Sequence, residues 1–537
     1  MLTDSQIIHL CKRKDKMVAE RGTWETHWQD LANYVLPNSA DFNVKRAQGD
    51  KRTTLIYDST GIHANEMLAA GLHGMLTNPA QKWFSVRVKN DVEDMNDNPE
   101  VKNWLENATD AILTELSAPE VAFASHIHEY YLSLCSIGTA AMFIGEPVNR
   151  EGGLSFKTIH INELFIAENA DGIVDTVFRS FKLPLRLVVQ RFGEEALSPR
   201  MKRMWEKKEF DKEVDILHCV YPREDAPDGA KASKLLPVAS VYLDEKEKHV
   251  LQESGFDEMP FMVSRWAKAV GEVFGRSPAM TSLPDIKMLQ EMMKTTIRAA
   301  QKIVDPPLLV PDDGVIGPVR TIPGGLNYYR STTGARIEPL LTGGNIPISF
   351  EMMEDIRGRI RMTFFLDQLQ FQGGPQMTAT EVIERTERTL RLLGPTLGRL
   401  QSEFLGPMIA RIFGVLVRQK KLPVPPEIIQ GQEIKIEYVS PLARAQRQTE
   451  SDGIMRTLQL AGPIAQFDPR AVKAIKGIET VRHIAQLNGV PPRLISSDEE
   501  VAEQVQAEQQ AMQAQQQMAM LQAGVDTAAR AKESGLV

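Results

Sequence analysis

Apolar residues recur at steps of three and four along most of the chain, and that spacing predicts helices. Ile7, Ile8, Cys11, Trp24, Trp28, Leu31, Tyr34 and Val35 form one such run, which Pro37 ends. Residues 58–75 form a second, with Ile62, Met67, Leu68, Leu72 and Met75 apolar, Asp58 or Ser59 able to cap it, and Asn78-Pro79 stopping it. Phe84 to Val88 alternates as a strand, and Trp104, Leu105, Ala111, Ile112 and Leu116 predict a helix after it. From about 140 to 263 the period shortens toward two. Segments 140–144, 154–160, 164–167, 173–181, 214–220 and 238–243 read as strands between Gly, Pro, Asn and Asp, with a helix near 184–192.

Beyond 276 the pattern is mainly helical. Ser282 followed by Asp285 reads as a capping box with Pro284 in a first turn; Ile286, Leu289, Met293, Ile297, Ala300 and Val304 then make a narrow stripe. Asp305-Pro306-Pro307 closes this helix after about 22 residues, roughly 33 Å at 1.5 Å each. Lys294, Arg298 and Lys302 repeat at four-residue steps on it, roughly 120° from the stripe. They read as a solvated face balanced by Glu291 or as a surface facing a polyanion. A Pro/Gly-rich excursion, 306–347, follows, with β-like runs at 308–310 and 326–329, and a second helix, 349–366, carries Met353, Ile356, Ile360 and Phe364 on one face.

Next comes a Gln/Gly loop, 368–376, holding Gln372, Gly373 and Gly374, and then a capping box, Thr378 to Glu381. It opens the longest helical pattern, Thr380 to about Lys420, through Leu390, Leu393, Leu397, Leu400, Phe404, Met408, Ile412 and Leu416. Gly394-Pro395 and Gly406-Pro407 interrupt it, and each proline predicts a kink. Residues 434–439 read as a strand and 442–487 as helices; the Gln/Ala/Met-rich tail from 498 has little to pack against.

Composition narrows the function. At 537 residues and 60.1 kDa, with 42% hydrophobic and 25% charged residues, the chain has the make-up of a globular protein of several domains. The best apolar run, 404–417, is broken by Gly406, Pro407 and Arg411, so no membrane span is expected. Lys12, Arg13, Lys14 and Lys16 have no apolar stretch behind them, unlike a secretory signal. Cys11, Cys135 and Cys219 are too scattered for a disulfide framework, and a net charge of -8 argues against wrapping DNA on a general basic surface.

No GxxxxGK[ST], GxGxxG, HExxH or GxSxG stretch is present. His126 and His128 could share one side of a strand, but without a third ligand at recognisable spacing no metal is expected. The Gly-Gly pairs at 152, 324, 343 and 373 read as turns, since none has the Lys and helix start of a phosphate cradle. The sequence therefore names no catalytic residue, metal or cofactor.

The order of parts is more informative: helix, Pro/Gly-rich excursion, returning helix, Gly/Gln loop, capping box, long kinked helix. With YDSTGIHANEMLAAGLHGMLTNPAQKWFSV (57–86), SIGTAAMFIGE (136–146) and MTATEVIERTERTLRLLGP (377–395), it resembles the head-to-tail connector, or portal, family of short-tailed phages. The resemblance implies a predominantly helical α+β fold assembled as a ring. Its parts would be a wing (1–275), stem helix one (276–304), clip (305–348), stem helix two (349–366), tunnel loop (367–379), long kinked helix with a wing strand (380–440), helical crown (441–497) and C-terminal tail (498–537). It implies no enzyme. A ring of this chain, usually twelve copies, would sit at one vertex of the virion capsid after assembly in the host cytoplasm. Partners would be double-stranded DNA, the terminase large subunit, scaffolding protein, major capsid protein, a tail adaptor and internal core proteins. On that picture Lys294, Arg298 and Lys302 face the channel or a neighbouring subunit and Gln372, Gly373 and Gly374 project toward DNA. Ile286, Leu289, Met293, Ile297, Met353, Ile356 and Ile360 would serve subunit packing. Twelve helices about 10 Å wide enclose roughly 28 Å, enough for a duplex near 20 Å across, while fewer than about nine would pinch it. Repeated strong phosphate grips would stall a sliding strand, so an acidic chain suits such a channel. The competing readings are another virion or assembly scaffold, such as a tail or internal core component, and an enzyme acting on nucleic acid.

Overall fold

A computed structural model describes residues 2–39, 41–44, 47, 49–79, 81–89, 98–147, 152–223, 236–309, 318–319, 328, 338–339, 346–369, 392–429, 431, 434–438, 450–451, 453–461, 476–487, 490, 501, 504 and 506–507. Contacts divide the chain into one unit of residues 1–83 with 112–421 and another of 84–111 with 422–537.

In the first unit, α1 (Asp4–Tyr34) starts on a capping box in which Thr3 Oγ1 accepts from the Gln6 N–H and Gln6 Oε1 accepts from the Thr3 N–H. It lies on a five-stranded antiparallel sheet of β4 (Leu164–Glu168), β5 (Val174–Pro184), β6 (Glu213–Pro222), β7 (Val238–Asp244) and β8 (His249–Phe256), in that spatial order. Strand alternation sends Phe165, Phe178, Leu217, Cys219, Val241 and Leu243 to a core shared with Ile7, Leu10 and Met17 of α1. The opposite face, with Phe181, Val214, Ile216, Tyr242 and Leu251, is covered by α5 (Leu185–Phe192) and α6 (Pro199–Glu206) through Leu185, Val188, Met201 and Met204. A smaller antiparallel sheet has the order β3 (Ser155–Ile159), β2 (Thr139–Gly145), β9 (Phe261–Arg265). The six strands read from the sequence are present; β8 and β9 were not read. β8 is an edge strand with a polar centre, Gln252 to Gly255, and β9 is buried on both faces, so neither alternates cleanly.

Residues 123–137 are a helix, α4 (Phe123–Ile137), not a strand, so His126 and His128 diverge instead of sharing a side. Among the described residues no group of three or more His, Cys, Asp or Glu could hold a metal. α2 (Thr60–Leu76) lies against α4; Ser59 holds its N-cap position without a side-chain bond, and Asp58 Oδ1 supplies one, accepting from the Thr60 N–H at 2.9 Å.

The helix expected to start on Ser282 begins earlier. α7 (Pro278–Val304) has Ser277 as N-cap, Oγ accepting from the Met280 N–H at 3.0 Å, and Pro278 in the first turn; Pro284 sits inside the helix. Ser277-Pro278 carries the same cap-plus-proline signal as Ser282 to Pro284, one and a half turns upstream. α8 (Ile346–Thr363) returns antiparallel, and β10 (Leu308–Leu309) pairs with β11 (Glu338–Pro339) between them. Phe365, at φ +58°, breaks α8 from the short α9 (Leu366–Leu369), so the expected loop begins with a helical turn. Gln372, Gly373, Gly374 and the 377–391 box lie outside the described residues.

The long helix is described as α10 (Leu392–Arg418). Instead of a simple interruption at Gly406-Pro407, residues 401–405 form a π-helical turn just before it. A proline crowds the carbonyl four residues back, here Glu403, and a wider turn relieves that contact. α10 is long and apolar enough by length and composition to cross a membrane. Yet Arg411 is 2% exposed inside it, donating to the Ile144 carbonyl at 2.9 Å and to Glu258 at 3.0 Å, and Phe404 stacks on Tyr130 with ring centres 4.1 Å apart. It is a core helix of the first unit.

In the second unit, β1 (Phe84–Val88) pairs antiparallel with β12 (Ile434–Tyr438), Val86 opposite Ile436, joining two strands read separately from the sequence. Thr109 Oγ1 on α3 (Pro99–Ser117) accepts from the Val86 N–H at 3.1 Å. Residues 450–451, 453–461 and Gly477–Leu487 are helical.

Candidate functional site

The hairpin of α7 and α8 is where the expected site residues gather. Ile286 and Leu289 are buried, as are Met353, Ile356 and Ile360 on α8. α8 thus faces its own chain. Ile286 lies close over Gly61 of α2, where even a methyl group would stand 3.0 Å from its Cδ1. Met293 is half-buried, and Ile297 and Val304 are 40% and 85% exposed. The stripe therefore holds two environments, covered within the chain near 286–289 and open toward 297–304. Lys294 bonds Glu291 at 2.9 Å, and Arg298 and Lys302 stand exposed.

Polar contacts also join the hairpin to the residues just before α2. Gln290, 3% exposed, accepts from the N–H groups of Tyr57 (2.6 Å) and Asp58 (2.9 Å) and donates to the Asp58 carbonyl at 2.7 Å. The Asp58 carboxylate accepts from Arg357 Nε and a terminal nitrogen at 3.0 and 2.8 Å. Burial pushes the Asp58 pKa up, but the bonds from Thr60 and Arg357 outweigh it and hold the carboxyl below its ordinary value. Arg357 spans Asp58 and Glu354. Sequence reading had Asp58 only as a cap and passed over Gln290 and Arg357. The one available signal was a polar Gln inside an apolar face, which must find partners if buried.

A second junction fixes where α7 starts. Gly138, at φ +86°, ends α4, and a Cβ there would meet the Gly275 carbonyl oxygen at 2.5 Å; a Cβ on Gly275 would meet the Gly138 oxygen at 2.3 Å. The two backbones touch because neither residue has a side chain. Around them the Trp266 N–H donates to the Gly138 carbonyl (2.9 Å), the Gly275 N–H to Thr139 Oγ1 (2.8 Å) and Ser277 Oγ to the Ser136 carbonyl (2.7 Å). The SIGT stretch is thus the socket for the α7 N-cap.

A third junction anchors the π-turn. Arg265 at the end of β9 is 1% exposed and donates to both oxygens of Glu403, at 2.7 and 3.2 Å, while its N–H reaches Glu403 at 2.9 Å. It also bonds Glu168, which Lys268 reaches at 2.6 Å. These arrangements position helices and offer no nucleophile paired with a base.

Comparison with known proteins agrees with this picture. The family described as "Bacteriophage head to tail connecting protein" matches residues 9–495. A "Probable portal protein" of Bordetella phage BPP-1 is 31% identical over 97% of this chain and 94% of its own length, and a "Portal protein" of Salmonella phage epsilon15 is 31% identical over 99% and 96%. The "Portal protein" of Enterobacteria phage T3 is 22% identical over 78% of this chain and 76% of its own. The chain belongs to the bacteriophage head-to-tail connecting protein family, whose members are structural connectors and not enzymes.

Proposed function

We propose that this chain is the portal protein of a short-tailed phage, copies of which, usually twelve, close into a ring around a channel. The ring stands at one capsid vertex of the virion. It nucleates assembly with scaffolding protein, adjoins the major capsid protein and internal core proteins, docks the terminase large subunit, passes double-stranded DNA inward and out again, and holds the tail adaptor. α7 and α8 are its stem helices, the segment between them is the clip, and Gln372, Gly373 and Gly374 face the DNA.

The observation that carries this reading is the family match over residues 9–495, with the antiparallel hairpin of α7 and α8 as its structural support. Its residues Ile297, Met352 and Met362 are exposed apolar surface that a neighbouring copy would cover. Heterologous contacts close into a ring when the rotation permits. Native mass measurement of the purified protein tests the proposal: a species near twelve times 60.1 kDa is expected, and a monomer at every concentration overturns it.

A further inference from the structure

The hairpin carries opposite charge on its two helices, and we infer that α7 of one copy docks on α8 of the next, Lys294 and Arg298 at the height of Glu351, Glu354 and Asp355 and Lys302 about 9 Å beyond Glu351. The inference rests on the ring reading above. An approximate height follows from a shared contact: Gln290 on α7 bonds the Asp58 backbone and Arg357 on α8 its carboxylate, which keeps the two residues within side-chain reach of one level. At a rise of about 1.5 Å per residue in antiparallel helices, Arg298 is then level with about residue 349 and Lys294 with about residue 353. Glu351 lies between, within about 3 Å of either level. Residues 291–304 hold three Lys and Arg against one Glu, and residues 349–356 hold three Asp and Glu with no Lys or Arg.

The charges are available. Arg298, Lys302 and Glu351 are exposed and have no ion-pair partner among the described residues. Lys294 is held by Glu291, and Glu354 and Asp355 by arginines of their own helix, so those three add less direct contact than Arg298, Lys302 and Glu351.

The shape of α8 also fits a neighbour. Glu351, Asp355, Gly358 and Met362 follow at steps of four, three and four, on the side opposite buried Met353, Ile356 and Ile360. No atom comes within 4 Å of where a Gly358 Cβ would stand, and Met362 is 69% exposed. This leaves an open notch beside an apolar knob.

A second copy is the occupant that suits both helices. A cyclic rotation has no component along the ring axis, so groups level within one copy stay level across the boundary when the hairpin runs along that axis. A duplex would be attracted by the basic line of α7 but would find no complementary charge at the exposed Glu351 of α8.

The test is charge reversal with compensation, read by native mass and electron microscopy of the full chain at moderate salt. Arg298→Glu with Lys302→Glu should lower the ring fraction at least tenfold while the thermal unfolding of the chain stays unchanged. Adding Glu351→Lys with Asp355→Lys should restore it. As a readout free of salt effects, Arg298→Cys with Glu351→Cys should give covalent ladders under oxidation that neither single variant gives. If wild-type protein forms no ring, the ring reading fails and takes this inference with it. If wild-type rings form and the reversed pair leaves them intact, or the compensating pair fails to restore them, or no ladder forms, this inference alone is overturned. Intact rings with altered DNA retention would place the basic line in the lumen.

Discussion

Arg265 and Glu403 meet in the interior of the first unit, two bonds at 2.7 and 3.2 Å from the guanidinium and one at 2.9 Å from the Arg265 N–H all ending on the same carboxylate. The contact ties the last residue of β9 to the π-turn of α10, and it is nearly dry: Arg265 is 1% exposed. A buried ion pair adds little net stability over an apolar pair, but removing one member costs the other its partner, and Arg265 would be left with Glu168 and backbone carbonyls. Glu403→Ala should therefore lower unfolding free energy by about 3 kcal/mol, measured by denaturant titration. An unchanged midpoint would show that the carboxylate does not bear on the turn.

Gln290 should be nearly as sensitive for a different reason. Gln290→Ala leaves the Tyr57 and Asp58 N–H groups without their acceptor, at about 1–3 kcal/mol for stranded buried donors. Hydrogen exchange at those two amides should accelerate with the loss, while amides of the five-stranded sheet stay protected. Uniform acceleration across both would mean that the tie is not local.

Gly138→Ala combines a positive φ with a clash against the Gly275 carbonyl oxygen. Neither backbone can retreat without opening the Ser277 socket, so a loss of at least about 2 kcal/mol and a frayed α7 start are expected, read by thermal unfolding and circular dichroism. Gly358→Ala serves as the control: with open space around it, that change should be neutral or stabilising by up to about 1 kcal/mol in the isolated chain.

Acid should weaken the fold in two separate windows. His160 accepts from the Asn162 N–H through Nδ1 at 3.1 Å and bonds Ser39 through Nε2, so its neutral form fits; burial, with Arg21 nearby, lowers its pKa from 6.5 to about 4. The unfolded chain then binds more protons between these values, so stability from this group is full above pH 6.5 and is lost as pH falls toward 4. Fully buried His218, stacked on Tyr242 at 3.9 Å, acts in the same direction. Asp58, whose pKa is lowered from 3.8, holds its contribution until the pH drops below that ordinary value. His160→Gln should flatten the upper limb of a stability-against-pH curve and leave the lower one; an unaltered upper limb would contradict the assignment.

Much of this was legible in the chain because period and punctuation agreed. The alternation of 214–220 and 238–243, the steps through Met353, Ile356 and Ile360, and the cap chemistry at Asp58 each point one way. Reading failed where one local signal occurred twice. Ser277-Pro278 and Ser282 to Pro284 are equally good starts, and only the Gly138–Gly275 contact, 137 residues apart in sequence, selects the first. His126 and His128 alternate locally like a strand, yet Ile127, Tyr130, Tyr131 and Leu134 bury a helical face. The hairpin shows a third limit: period marks Ile297 as apolar stripe but cannot say that the burial of Ile286 and Leu289 is lost by Ile297. Partners such as Gln290 and Arg357 for Asp58 are more than 200 residues distant, and spacing carries no trace of them.

A ring that passes a genome needs an opening wide enough for it, and a three-dimensional reconstruction of the purified protein by electron microscopy measures that opening directly. A closed ring with a free passage wider than about 20 Å, the breadth of a duplex, and paired helices lining it is the expected result. Well-folded particles without a central passage, or a ring too narrow to admit a duplex, would contradict it.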